Sequence, residues 1–301
     1  LTFNFCFFLN GSIFTLQNIH ICFVKINISN SKEMKILVIG GGNMGLTYAQ
    51  SFLRSHITRK EDMMILEKSP EKAVELSKKE IGTIYGEPSA CLHNADLIIL
   101  AVKPQDAPEL FKILKPLIEP QQVFLSIMAG VKISTIQEGL GITKVIRAMP
   151  NLPAQIGMGM TAFTSTDEVT RIELVMVQNL LNTTGKTIYV ESERAIDATT
   201  AISGSGPAYV FYFMESMIKA AKSLGFSASE AELLVSQTFR GTVDLFQKSD
   251  FSCIEWIQKV ASKGGTTEAA LKTWESNQLE SGIMDGALAA MARAEELGRK
   301  D

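Results

Sequence analysis

Lys35-Ile36-Leu37-Val38-Ile39-Gly40-Gly41-Gly42-Asn43-Met44-Gly45 is the stretch on which the fold turns. A short apolar run enters Gly40, and the residues beyond it carry helical spacing through Met44, Tyr48, Phe52 and Leu53. The order is strand, tight turn, helix. Gly40 to Gly45 satisfies G-x-G-x-x-G, in which the first glycine makes the turn, the second admits a pyrophosphate and the third lets the helix pack on the strand. With 22 glycines the bare pattern could arise by accident, but its position between a strand and a helix makes it a dinucleotide fingerprint. Ile39, Gly40, Gly41, Gly42, Asn43, Met44 and Gly45 are the first candidate cofactor residues.

Outward from this turn, Met63–Leu66 predicts a second strand, Ala73–Lys79 a helix and Ala95–Val102 a continuous apolar strand of the kind buried in parallel sheets. A helix around Ala107–Leu117, a strand at Val123–Ile127, a short helix at Ser134–Gly139 and strands near Lys144–Ala148, Met160–Thr164 and Thr187–Val190 continue the rhythm. The fold class is α/β, an N-terminal Rossmann-type doubly wound sheet followed by an all-helical dimerisation domain. Two strand ends add cofactor candidates: Ala101, Val102, Lys103 and Pro104 after one strand, Ala129 and Gly130 after the next. At the end of the second strand, Glu67 suits a ribose 2′-hydroxyl whereas Lys68 and Ser69 suit a 2′-phosphate, so NADPH and NADH both stay open.

From about Glu193 the strand signals stop and Ser-initiated caps begin, including Ser227-Ala228-Ser229-Glu230 and Ser252-Cys253-Ile254-Glu255. The expected division is 1–33 as a non-native or disordered extension, 34–193 as the dinucleotide-binding domain and 194–301 as the helical substrate-binding and dimerisation domain. Tyr209–Leu224 is apolar around much of its circumference, which one small domain can hardly bury, so a homodimer is expected beside the plainer reading of core packing. Arg147-Ala148-Met149-Pro150-Asn151-Leu152-Pro153 closes a strand with two stiffening prolines, and its arginine suits either an anion or a structural pairing. Gly204-Ser205-Gly206-Pro207 marks a helix start. Ser262-Lys263-Gly264-Gly265-Thr266-Thr267 joins two helix-like segments and puts flexible glycines and two hydroxyls at exposed helix amides, a socket for a small carboxylate.

Composition narrows the function. At 301 residues, 46% hydrophobic and 20% charged, the chain has room for two ordinary domains, and a formal charge of −3 without basic runs argues against nucleic acid. Three histidines and four scattered cysteines without Cys-x-x-Cys spacing argue against a zinc site and fit reduced thiols in a cytoplasmic protein. Residues 1–33 are rich in Phe, Ile and Asn, begin with Leu1 and contain no run of membrane-spanning length. They read as upstream sequence ahead of a natural start at Met34, with a signal peptide as the weaker alternative.

These segments, in this order, resemble the pyrroline-5-carboxylate reductase family from Met34 to roughly Leu297. The likeness rests on GGGNMG at Gly40–Gly45, AVKPQ at Ala101–Gln105, MPN-x-PA at Met149–Ala154, SGSGPAY at Ser203–Tyr209 and S-x-GGTT at Ser262–Thr267. The resemblance implies hydride transfer from NAD(P)H, commonly NADPH, to the C=N carbon of 1-pyrroline-5-carboxylate, giving L-proline in the last step of its synthesis. It also implies a helical domain that interlocks with a second subunit, and often a decamer of such dimers. Ser262, Gly264, Gly265, Thr266 and Thr267 would form the substrate site: amides around Gly264, Gly265 and Thr266 would bind the carboxylate, and the catalytic Thr267 hydroxyl would bond the ring nitrogen. The chain departs from the family pattern at Lys263, where proline is usual, at Leu152, often threonine, and at Pro88, near a common asparagine contact to the adenosine ribose. The alternatives are another Rossmann imine or hydroxyacid reductase, the latter using a helical lysine such as Lys219 or Lys222, and a non-catalytic dinucleotide sensor.

Overall fold

The computed structural model describes Phe7–Leu9, Ser12–Phe14 and residues 34–298. The chain divides into two units, 1–33 and 34–301. In the first, β1 (Phe7–Leu9) pairs antiparallel with β2 (Ser12–Phe14). The rest of the expected extension lies outside the described residues.

The second unit begins with β3 (Ile36–Ile39), α1 (Asn43–Arg54), β4 (Met63–Leu66), α2 (Pro70–Ser77) and β5 (Thr83–Tyr85). It continues through β6 (Leu97–Leu100), α3 (Ala107–Leu114), β7 (Val123–Ser126), α4 (Ile133–Leu140) and β8 (Val145–Met149). Then come β9 (Gly159–Ser165), α5 (Arg171–Asn182) and β10 (Gly185–Tyr189). The eight strands lie in the order β10-β9-β8-β7-β6-β3-β4-β5, and every pairing is parallel except β8 with β9. Chain order runs one way from β3 to β5 and the other way from β6 to β8. The sheet therefore reverses between β3 and β6, where an open α/β sheet leaves a crevice at its carboxyl edge.

Of the four-residue strands, β3, β4 and β6 are apolar throughout and β7 is apolar up to its final Ser126, because helices cover both faces. Ile36 and Val38 join one core with Tyr48 and Phe52 of α1, while Leu37 and Ile39 join the other with Phe111 and Leu114 of α3. This alternation is the two-residue period of a strand, and both of its faces are dry. Fully burying a side chain such as Phe52 contributes about 1.5–3 kcal/mol. Burial also pushes the Tyr48 hydroxyl up to about 12, despite its contact with Thr161 Oγ1 at 3.4 Å, so it stays neutral.

α5 is fastened by a capping box that the sequence reading passed over. Thr170 Oγ1 accepts from the Glu173 amide, and Glu173 Oε2 accepts from the Thr170 amide at 2.8 Å. Burial works against the Glu173 charge, but bonds from Lys144 and Thr170 outweigh it and hold the carboxyl below its usual range. A depressed carboxylate stabilises the fold at neutral pH, and that contribution is lost as pH falls through the depressed value. Thr170→Ala is expected to cost about 1 kcal/mol, read by urea unfolding at pH 7, with a smaller difference from wild type in acid.

The helical half consists of α6 (Glu193–Thr199), α7 (Gly206–Ser223), α8 (Ala228–Gln247), α9 (Cys253–Val260), α10 (Thr266–Ser276) and α11 (Leu279–Leu297). A π-helical turn at Thr200–Gly204 separates α6 from α7. Both capping boxes expected at Ser227 and Ser252 are formed. No residue of α7 is buried, and Phe211 is 60% and Tyr212 79% exposed. The helix that the sequence marked as too apolar for one small domain packs one side, through Phe213, on Phe239 and Trp274, and leaves much of the rest of its apolar surface exposed within a single chain. No helix among the described residues is long and apolar enough to cross a membrane.

Candidate functional site

A cavity of about 530 Å³ opens at the point where the sheet reverses, between the ends of β3, β4 and β6. Its wall brings together Ile39, Gly40, Gly42, Lys68, Ala101, Val102 and Lys103 of the candidate cofactor residues. Gly41, Asn43, Met44, Gly45, Ser69, Pro104, Ala129 and Gly130 are not in that wall. Several of these have packing work instead. A Cβ on Gly45 would lie 2.2 Å from the Gly40 carbonyl oxygen, and one on Gly130 would lie 3.2 Å from the Leu297 Cβ at the end of α11. Ser69 caps α2 by accepting from the Lys72 amide at 3.3 Å and donates to Glu71 at 2.8 Å.

The donor set fits a dinucleotide. Gly42 begins α1 without a side-chain cap, and a Cβ built there would meet nothing within 4 Å. The first bond of the helix runs from the Leu46 amide to the Gly42 carbonyl at 3.0 Å, so the amides of Asn43, Met44 and Gly45 precede it. Such a bare, positively polarised helix start beside a glycine with no side chain suits a pyrophosphate. Pro88, one of the departures from the family pattern, is buried and stands in the cavity wall.

The Ser262–Thr267 loop is a helix start as expected, but its amides divide differently from the sequence reading. Gly264 has φ +73° and donates its N–H to Glu268 Oε2 at 2.6 Å, while Gly265 N–H closes a turn onto the Ser262 carbonyl at 2.9 Å. The first helical bond of α10 runs from Ala269 N–H to the Gly265 carbonyl, leaving the amides of Thr266, Thr267 and Glu268 ahead of it. The loop amides left without a helical acceptor are therefore those of Thr266, Thr267 and Glu268, not those of Gly264 and Gly265. Glu268 was not singled out from the sequence, although Gly-Gly-Thr-Thr-Glu places a carboxylate at the third helical position, where it reaches back. Its bond from Gly264, then that from Lys272, holds the Glu268 carboxyl below the usual range. Thr267 is half-buried, Thr266 and Lys263 are exposed, and a Cβ on Gly265 would lie 2.6 Å from Ser262 Oγ.

A third cluster joins β8 to the helical half. Arg147 takes the structural pairing of its two readings, with Nη1 donating to Glu193 Oε1 at 2.7 Å and Nη2 to Asp197 Oδ1 at 2.6 Å. Asn151 accepts from the Met160 amide at 2.9 Å and donates to Ser203 Oγ in the π-helical turn at 3.1 Å. Lys219 pairs with Glu215 at 3.2 Å on the exposed face of α7.

The family profile for pyrroline-5-carboxylate reductase dimerisation matches residues 193–297, and that for NADP oxidoreductase, coenzyme F420-dependent, matches 35–130. Pyrroline-5-carboxylate reductase 2 of Bacillus subtilis is 36% identical over 252 residues, covering 83% of this chain and 90% of that protein. The chain belongs to the pyrroline-5-carboxylate reductase family. Among solved structures, the pyrroline-5-carboxylate reductase of Coxiella burnetii superposes with a TM-score of 0.82 at 31% identity, covering 89% of this chain and all of that one. The Plasmodium falciparum pyrroline carboxylate reductase with NADP bound gives a TM-score of 0.81 at 28% identity over 89% of this chain. In this chain the crevice at the sheet reversal is lined by residues within 39–113 and the glycine–threonine helix start opens α10.

Proposed function

We propose that this chain reduces 1-pyrroline-5-carboxylate to L-proline with NADPH, NADH being the second candidate. The observation that carries this reading is the pairing, in one member of this family, of a glycine-lined crevice with an open glycine–threonine helix start. The relative solved with NADP supports the cofactor. Residues 34–193 serve as the cofactor half and 194–301 as the substrate and dimerisation half, in a cytoplasmic homodimer that can build a decamer. The match of 193–297 to a dimerisation profile and the uncovered face of α7 support the dimer.

Bound in the crevice, the reduced nicotinamide supplies the hydride that the C=N carbon takes up. The α1 amides hold the pyrophosphate, with Gly40 and Gly42 keeping the backbone close. Thr266 and Thr267 amides hold the substrate carboxylate, and the Thr267 hydroxyl steadies the ring nitrogen. A protonated imine is already electrophilic, so orientation is the main device and no acid–base dyad is required.

The test is to mix the protein with 1-pyrroline-5-carboxylate and each reduced cofactor and to follow loss of the nicotinamide absorbance together with appearance of proline. Oxidation without proline, or no oxidation, defeats the reading. Thr267→Ala is expected to lower kcat/KM by about ten- to a hundredfold, as for one lost hydrogen bond in the transition state. Wild-type kinetics in that variant would remove its role.

A further inference from the structure

The cofactor crevice contains a carboxylate for which the proposed reaction has no use. Glu67 follows β4 at the strand end where a Rossmann sheet meets the adenosine ribose, and only 8% of it is exposed. Its Oε2 accepts from the Gly41 amide at 3.1 Å and its Oε1 from the Ser69 amide at 3.0 Å, which pins the group between the glycine turn and the start of α2. A carboxylate oxygen that accepts one bond can accept another, so a ribose hydroxyl can still donate to it. A phosphate ester on that hydroxyl has no proton to give and meets a like charge.

The cations nearest this place are already engaged. Lys72 Nζ lies 3.7 Å from Glu67 Oε2, and Lys68 Nζ lies 3.3 Å from Asp106 Oδ1. In the wall as a whole Lys68, Lys72 and Lys103 face Glu67, Glu87, Asp106 and Glu109, which leaves no positive excess to receive a dianion.

We infer that Glu67 determines cofactor specificity, its carboxylate lowering the preference for the 2′-phosphorylated nucleotide so that NADH competes with NADPH in this chain. The inference rests on the cofactor half of the proposed function and deepens it. It is tested by titrating wild type, Glu67→Gln and Lys72→Met with NADPH and with NADH, in the absence of substrate, through the fluorescence of the reduced nicotinamide. The ratio of the NADH to the NADPH dissociation constant is expected to rise about tenfold in Glu67→Gln and to fall in Lys72→Met. A glutamate that only braces the glycine turn would weaken both cofactors by one factor, and equal shifts or an unmoved ratio overturn the inference. A wild type that binds NADPH more than a hundredfold tighter than NADH, or that binds neither, overturns it too. Because no imine is present, the result stands apart from the substrate assignment: a shifted ratio with no turnover would sink that assignment alone.

Discussion

Replacing Arg147 with methionine is expected to destabilise the protein by about 3–5 kcal/mol, the usual effect of removing one partner from a buried ion cluster. Arg147 is 1% exposed, and its Nη1 and Nη2 are held at 2.7 and 2.6 Å by Glu193 and Asp197. Its Nε is buried without a hydrogen-bond partner, so among the described residues these two carboxylates are what tie the guanidinium to α6. Glu193 Oε1 also accepts the Ile133 amide at 2.9 Å at the start of α4, which makes the cluster a joint between β8, α4 and the first helix of the helical half. Without the cation, Asp197, whose side chain is only 9% exposed, is left a poorly solvated charge, whereas Glu193 at 30% can turn outward. Urea unfolding of Arg147→Met measures the loss. Adding Asp197→Asn should recover a good part of it, because burying the lone charge is the main cost. A loss below about 1 kcal/mol in the single variant would show that the cluster is not what holds α6 to the sheet.

The sequence disclosed this sheet wherever burial is two-sided. Ile36–Ile39, Met63–Leu66 and Leu97–Leu100 are apolar at every position, and a run of that kind flanked by glycine or a helix pattern has few other readings. β5 escaped notice because Thr83–Tyr85 is a three-residue edge strand, partly exposed and bracketed by Gly82 and Gly86, too short to display a period. The helical half was legible through local chemistry, since capping boxes at Ser227 and Ser252 depend only on residues three apart. The fate of Arg147 was not legible, because its partners lie 46 and 50 residues away and only the fold brings them to it. The Gly264 amide is a subtler case: the loop announced its flexibility and its helix start, but the competing acceptor is Glu268 of the same turn. Glu67 and Lys68 likewise read as opposed signals, one for a ribose 2′-hydroxyl and the other for a 2′-phosphate, and the structure turns one toward the Gly41 amide and the other toward Asp106.

Gly45→Ala and Gly42→Ala are expected to fail in opposite ways, although both change the same fingerprint. The Cβ added at Gly45 would lie 2.2 Å from the Gly40 carbonyl oxygen and 3.1 Å from Val38 Cγ1. Neither neighbour yields easily: Gly40 sits at φ +106° with its N–H bonded to the Leu66 carbonyl at 2.9 Å, and Val38 is wholly buried. α1 must therefore tilt off the sheet, at a cost of about 2–3 kcal/mol. The tilt also displaces the helix start that faces the crevice, and cofactor affinity should fall by about a hundredfold or more. At Gly42 the backbone has φ −77°, which alanine adopts freely, and nothing lies within 4 Å of the new methyl. Stability should fall by less than about 1 kcal/mol, the difference between glycine and alanine at a helix N-cap. The methyl instead occupies the side from which a pyrophosphate approaches, so affinity should drop about tenfold or more while the fold stays intact. Thermal unfolding without cofactor separates the two variants, and nucleotide titration of each completes the comparison. Wild-type affinity in Gly42→Ala would mean that no pyrophosphate passes over the start of α1, and the cofactor half of the proposed function would fall with it.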